Sequence, residues 1–245
     1  MMKLGDSSLF AVHAPLRAAF GKTIEYRRKA SFVRQGEPAR HILFMVAGIG
    51  VRSKTTFDGS RQIVGIVTAG QFCNLSSLVH ALPDHSIEAV TDCEVALTSK
   101  AELATLMRED PGLGNFVLAT AIAATAAASE WVLNVGRRPA SQRIAHLLCE
   151  IFVCNRDLNR TDSCSFPLTQ EQLADATGLS VVQVNRSLQD LRSRGRIALR
   201  QRVLTIRDFD MLAEEADFDP SYLHGHCEHP VVSRRLPDRP LAMSL

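Results

Sequence analysis

The chain has 245 residues, 46% of them hydrophobic and 22% charged, with a formal net charge of only +2. That composition supplies apolar material for two modest cores and excludes a highly charged disordered chain. The start, MMKLGDSSLFAVHAPL, lacks the basic beginning and unbroken apolar run of a signal peptide. Six scattered cysteines (Cys73, Cys93, Cys149, Cys154, Cys164 and Cys227) form no C-x-x-C pair, so reduced thiols and a cytoplasmic setting are expected.

Residues 1–20 predict a short amphipathic helical segment, Leu9 to Phe20. From 21 to 108 the pattern is that of strands, with runs at Glu25–Phe32, Ile42–Val46, Gly50–Thr56, Gln62–Val67 and Ala89–Leu97. Gly36-Glu37-Pro38, Asp58-Gly59 and Ala69-Gly70 punctuate them as turns, the signature of an antiparallel roll. The period becomes helical at Ala101–Met107 and again across 109–136, where Pro111 suits a first helical turn. Pro111 to Ser129 carries no charge, but Ala, Thr and Gly dominate it, so no membrane span is expected. Within it Val117, Ala121, Ala124, Ala128, Trp131 and Val135 alternate by four and three, predicting a coiled-coil seam and hence a homodimer, with Trp131 as its large anchor. The bland alternative is a helix packed within its own chain.

Arg137-Arg138-Pro139 should break this helix and act as a hinge into a segment spanning 137–217. Ala140–Phe152 is amphipathic and predicts a helix; Cys154–Ser165 reads as a polar loop. Phe166 to Ile206 carries the clearest signal. Thr169 with Gln172, and Ser180 ahead of Val184, Leu188 and Leu191, predict two capped helices separated by a turn at Gly178. Gly195 ends the second, and Arg196–Leu199 with Arg202–Ile206 alternate as a small hairpin. This is a helix-turn-helix with a wing. Between Ser180 and Arg207 the arginines at 186, 192, 194, 196, 200, 202 and 207 face the single acid Asp190, an excess suited to phosphates. Phe209–Ala216 predicts a last helix. The tail, 218–245, lacks pattern and should be disordered; its His224, His226, Cys227 and His229 sit in no framework, so no metal site is expected. No Ser/His/Asp set, carboxylate pair or phosphate loop suggests an enzyme.

The run from Gln35 to Leu78, with Gly36-Glu37, Gly48, Asp58-Gly59 and Gly70-Gln71-Phe72, resembles the β-roll of the Crp/Fnr family of bacterial transcription regulators. ALPDHSIEAVTDCEVALTS resembles that family's last roll strands, and Phe166–Ile206 its DNA-binding module. The resemblance implies an α+β protein: an N-terminal antiparallel roll of the cyclic-nucleotide-binding type, a long dimerisation helix and a C-terminal winged helix-turn-helix. It also implies double-stranded DNA, a second copy of the chain and RNA polymerase as partners, and no membrane. By its register the base-reading positions are Val181, Val182, Asn185 and Arg186. Better-known members have Arg or Glu at the first two, so the half-site should differ. Thr169, Gln170, Ser180 and Gln183, with Arg200 and Arg202 of the wing, are the candidates for phosphate contacts.

The effector region departs from the family pattern. Where cyclic-AMP-binding members carry an acid for the ribose and an arginine for the phosphate, this chain has Cys73-Asn74-Leu75-Ser76-Ser77 and Leu82-Pro83-Asp84-His85-Ser86. Cyclic-nucleotide binding is therefore not expected. Oxygen-sensing members use N-terminal cysteines to hold iron–sulfur, and none precedes Cys73 here. Cys73 and Cys93 read either as a redox pair or as small buried hydrophobes, and His80 or His85 alone does not define a haem site. The candidate effector pocket is Cys73, Asn74, Leu75, Ser76, Ser77 and His85; no cofactor is assigned and the effector is unknown. The alternative function is a ligand- or redox-sensing roll whose output is protein binding rather than DNA binding.

Overall fold

The alternating apolar strands of the first hundred residues fold, in a computed structural model describing residues 20–155 and 162–223, into two antiparallel sheets. Their strands are β1 (Lys22–Tyr26), β2 (Ser31–Val33), β3 (His41–Ala47), β4 (Ile49–Thr55), β5 (Arg61–Thr68), β6 (Ser86–Ala89) and β7 (Cys93–Ser99), in the orders β1-β7-β3 and β2-β6-β4-β5. Val33, Met45, Val67, Ile87 and Val95 fill the space between them. Two expected strands are each split. Glu25–Phe32 breaks where Lys29 takes φ 71° and donates its N–H to the Ala89 carbonyl at 2.7 Å. Ala89–Leu97 breaks at Val90–Asp92, where the chain leaves one sheet and enters the other. Thr91-Asp92 is the only local mark of the second break, and a change of sheet leaves no signal in the strand period itself. Gly48, at φ +95°, passes so close to the chain that a Cβ there would lie 2.5 Å from the Asp92 carbonyl oxygen.

Helix α1 (Lys100–Glu109) begins at Ser99, whose hydroxyl accepts the Glu102 N–H at 3.1 Å. Helix α2 (Pro111–Arg137) follows directly, with the Asp110 carboxylate accepting the Gly112 and Leu113 N–H groups at 2.8 and 3.2 Å. By length and composition α2 could cross a bilayer. One side of it instead packs on its own chain: Leu113 and Val117 in the roll core, Trp131 in the core of the following domain.

That domain comprises α3 (Ala140–Asn155), β8 (Ser163–Ser165), α4 (Gln170–Thr177), α5 (Val181–Ser193), β9 (Ala198–Arg200), β10 (Val203–Thr205) and α6 (Phe209–Glu215). Strand β8 lies inside the stretch expected as polar loop and completes a three-stranded wing in the order β8-β10-β9. Its serines hid it, since only three residues pair. The expected boundary at 217 also moves. Phe218, Tyr222 and Leu223 are buried, and the Tyr222 hydroxyl donates to Glu150 at 2.7 Å, so the domain continues through Leu223. Residues 9–19 of the expected N-terminal helix and the His224–His229 cluster lie outside the described residues.

Candidate nucleic-acid interface

The helix-turn-helix is assembled by local hydrogen bonds that the sequence dictates. Thr169 and Gln172 form a reciprocal capping box at 3.1 and 3.0 Å, and Ser180 and Gln183 form another at 3.2 and 3.0 Å. Between them Gly178 closes α4 at φ +63°. Val184, Leu188 and Leu191 anchor one side of α5 in the core. The opposite side presents Val182, 69% exposed, with Val181, Gln183 and Arg186 also exposed and Asn185 half-buried. The Thr169 and Ser180 hydroxyls and the Gln183 carbonyl oxygen are thus already used as caps. What they leave for phosphates is the helix N-termini, the Gln183 NH2 and the exposed Gln170.

The arginines divide into two sets. Arg194 pairs with Asp190 and Glu215, and Arg196 with Glu215 at 2.8 Å, so these two are neutralised on the protein. Glu215 comes from α6, beyond the Ser180–Arg207 interval, so the local charge excess there is smaller than the sequence alone implies. Arg186, Arg192, Arg200, Arg202 and Arg207 form no ion pair among the described residues and are exposed. At the wing tip Arg200 pairs with Val203 around a two-residue turn, with Gln201 at φ 47° and Arg202 at φ 60°. Asn-Gly is the usual choice for two successive left-handed residues. A side chain carrying charge stands here at a conformational cost.

The predicted dimer seam divides likewise. Val117 is 3% exposed and Trp131 8%, and the Trp131 indole N–H donates to Glu150 at 3.0 Å. These two are buried in the chain's own cores. Ala121 and Val135 are half-buried; Ala124 and Ala128 are exposed. Leu118, Ile122 and Val132, each one position further on, are exposed apolar residues of α2, as is Leu133. The hinge arginine is fixed: Arg138 lies 2.7 Å from Glu130 and donates to the Asp217 carbonyl at 2.9 Å.

Of the predicted effector residues, Cys73, Leu75, Ser76 and His85 line a cavity of about 620 Å³ between roll and α2. Asn74 does not: its amide bonds the Leu43 N–H and His41 carbonyl at 2.8 and 2.9 Å, tying the 3-10 turn Leu75–Leu78 to β3. Ser77 is buried outside it. Burial pushes the Cys73 thiol up to about 12 and raises that of Cys93, so neither is a reactive thiolate at neutral pH. The His85 nitrogens face Asp84 at 2.8 Å and the Cys73 carbonyl at 3.0 Å. The stretches expected to form this pocket carry no arginine, but Arg52 of β4 reaches its wall.

A roll joined by one long helix to a winged helix-turn-helix with an unneutralised basic edge defines a two-domain DNA-binding regulator. Comparison with known proteins agrees. The cyclic nucleotide-binding domain family matches residues 23–110, and the Crp-like helix-turn-helix domain family matches 142–215. The transcriptional activator protein FnrL of Cereibacter sphaeroides is 30% identical over 200 residues, covering 79% of this chain and 80% of that protein. The nitrogen fixation regulation protein FixK of Azorhizobium caulinodans is 25% identical over 198 residues, covering 80% and 79%. The fold is similar to that of FixK2 from Bradyrhizobium japonicum, with a TM-score of 0.71 at 22% identity over 79% of this chain and 96% of that one. The chain belongs to the Crp/Fnr family of transcription regulators and is a DNA-binding regulator of that type.

Proposed function

We propose that this regulator acts as a homodimeric, sequence-specific activator, each α5 entering the major groove of one half of a pseudo-palindromic operator. Half-sites would lie about one helical turn (~34 Å) apart. The observation that carries the reading is a single winged helix-turn-helix presenting an exposed Val181-Val182-Arg186 face together with wing arginines free of acids. Arg186 is the residue for direct readout, bidentate to a guanine; Val181 and Val182 suit a thymine methyl, with Asn185 beside them. Gln170, Gln183, Arg200 and Arg202 supply phosphate contacts. Pairing runs along Leu118, Ile122, Thr125, Ser129 and Val132, spaced by four and three. The Thr125 and Ser129 hydroxyls donate to their own helix, to the Ala121 and Thr125 carbonyls at 3.0 Å, which leaves that stripe without free polar groups. RNA polymerase is the further partner and the cytoplasm the compartment, with non-enzymatic function throughout.

Selection of genomic fragments by the purified chain, followed by anisotropy titration of the recovered site and a scrambled duplex, tests this. Arg186→Ala should cost about 1–3 kcal/mol on the recovered site and little on the scrambled one. Scrambled DNA bound as tightly as the recovered site at ordinary salt would overturn sequence-specific recognition and favour a sensor that binds protein.

A further inference from the structure

The cavity between roll and α2 is walled mainly by hydrocarbon, including Val64, Ile66, Leu78, Val117 and Ala121. At its roll end the guanidinium of Arg52 is out of place. Its Nε is sealed from water and has no hydrogen-bond partner, and its Nη2 reaches the Phe72 and Cys73 carbonyls only at 3.5 Å. The Ser76 hydroxyl, on the same wall, is also buried and unpartnered. Among the described residues no carboxylate forms an ion pair with Arg52. Asp84 shares this wall but is committed to Lys54 at 3.0 Å and His85 at 2.8 Å. Burial would raise its carboxyl, yet those two bonds hold it down at about 2. Burial also pulls the Arg52 pKa below its ordinary value. A guanidinium whose buried Nε is unbonded and which forms no ion pair of its own is unfavourable, and the unmatched Ser76 hydroxyl on the same cavity wall offers a second donor to an anion.

We propose that this cavity binds a small monocarboxylate with an apolar body, its carboxylate on Arg52 and Ser76 and its hydrocarbon against Val117 and Ala121 of α2. One unpaired cation matches one negative charge, and the planar guanidinium fork matches a carboxylate. The apolar walls match a body without hydroxyls. A cyclic nucleotide would leave its ribose hydroxyls without an acid to receive them. The binding step stands without any DNA; only its role as an effector rests on the regulator reading above. Such a ligand would touch the roll and the long helix at once.

Trp131 is the sole tryptophan and lines the same cavity, so its fluorescence reports on occupancy of the full chain. The probes are 3-phenylpropanoate and decanoate, the alcohols 3-phenylpropanol and decanol, and cyclic AMP. At least one carboxylate should bind about tenfold or more tightly than its alcohol, and Arg52→Gln should shrink that preference to within about threefold. Ser76→Ala should weaken the same carboxylate a few-fold with an unchanged melting curve. Unliganded Arg52→Met should melt no lower than the parent, since it removes an uncompensated charge. Equal affinity for acid and alcohol, carboxylate affinity undiminished in Arg52→Gln, or tighter binding of cyclic AMP would each overturn the assignment. DNA anisotropy on the same samples separates the two readings: retained DNA recognition without carboxylate binding sinks the cavity assignment alone, and the converse sinks the regulator reading alone.

Discussion

The wing-tip turn sets stability against DNA affinity at one residue, and Arg202→Gly separates them. Arg202 sits at φ 60° after Gln201 at φ 47°, both in the region L-residues avoid by about 1–2 kcal/mol each. Glycine at the second position removes that cost and adds about 0.4–1 kcal/mol of unfolded-chain entropy, leaving a net gain of roughly 0.5 kcal/mol. For a chain of this length the melting temperature should rise by about 1–2 °C. Losing one phosphate-neutralising arginine from each of two wings should flatten the slope of log K against log salt by about 1.8. Scanning calorimetry and anisotropy titrations at several salt concentrations read both. Arg202→Asn serves as control: it tolerates the same backbone but also lacks the charge, so it should share the flattened slope. A stability gain with an unchanged salt slope would refute phosphate contact at the wing tip, and a stability loss would refute the strain argument.

Ile122→Asp, at a position 60% exposed, should leave the monomer fold intact and convert a dimer to monomers by light scattering; an unchanged mass would place the pairing surface elsewhere. Tyr222→Phe removes one donor to the buried Glu150 carboxylate. Burial raises the Glu150 pKa above its ordinary 4.5 while the Tyr222 and Trp131 donors oppose that, so stability falls as pH rises above about 4.5 and Glu150 ionises. Removal of a donor should therefore cost about 1–3 kcal/mol at pH 8 and less at pH 5 by denaturant unfolding. An equal cost at both would mean that Glu150 does not change its protonation between them, refuting the raised pKa as the source of the pH dependence.

The DNA-binding half was legible because its signals are local. Caps, a left-handed glycine and an apolar stripe all act within a few residues, and α4 and α5 begin and end where Thr169, Gly178 and Ser180 predict. Signals that depend on distant partners were not. Trp131 fits the four-three spacing of a seam, but only the folded chain brings Glu150 and Tyr222 to it. A stripe shifted by a single residue, through Leu118, Ile122 and Val132, has nearly the same periodicity, so spacing alone cannot choose between them. Arg52 was overlooked because an arginine in a short strand normally marks a solvent-facing position. Its unbonded Nε emerges only once the folded chain sets Arg52 on the wall of a cavity that α2 also lines.

The same helix also decides which contact between the domains yields first. The DNA-binding domain is tied to α2 by the buried Trp131–Glu150–Tyr222 set and by Arg138 with Glu130, and breaking a buried charged network costs about 3–5 kcal/mol. On the roll side α4 is held by the half-exposed Arg61–Asp175 pair at 2.8 Å, a 3.4 Å bond from Gln62 to the Ala176 carbonyl and a 3.5 Å bond from the Gln172 amide to Glu88 of β6. Half-exposed pairs of that kind contribute on the order of 1 kcal/mol or less each. Val51 and Ile63 of the roll are buried in one apolar cluster with the winged domain, and each such side chain contributes about 1.5–3 kcal/mol more. A ligand that prefers one arrangement about tenfold supplies about 1.4 kcal/mol. That is comparable to the roll-side polar contacts and well short of the α2 network, so the polar contacts between winged domain and roll are the ones such a ligand can offset.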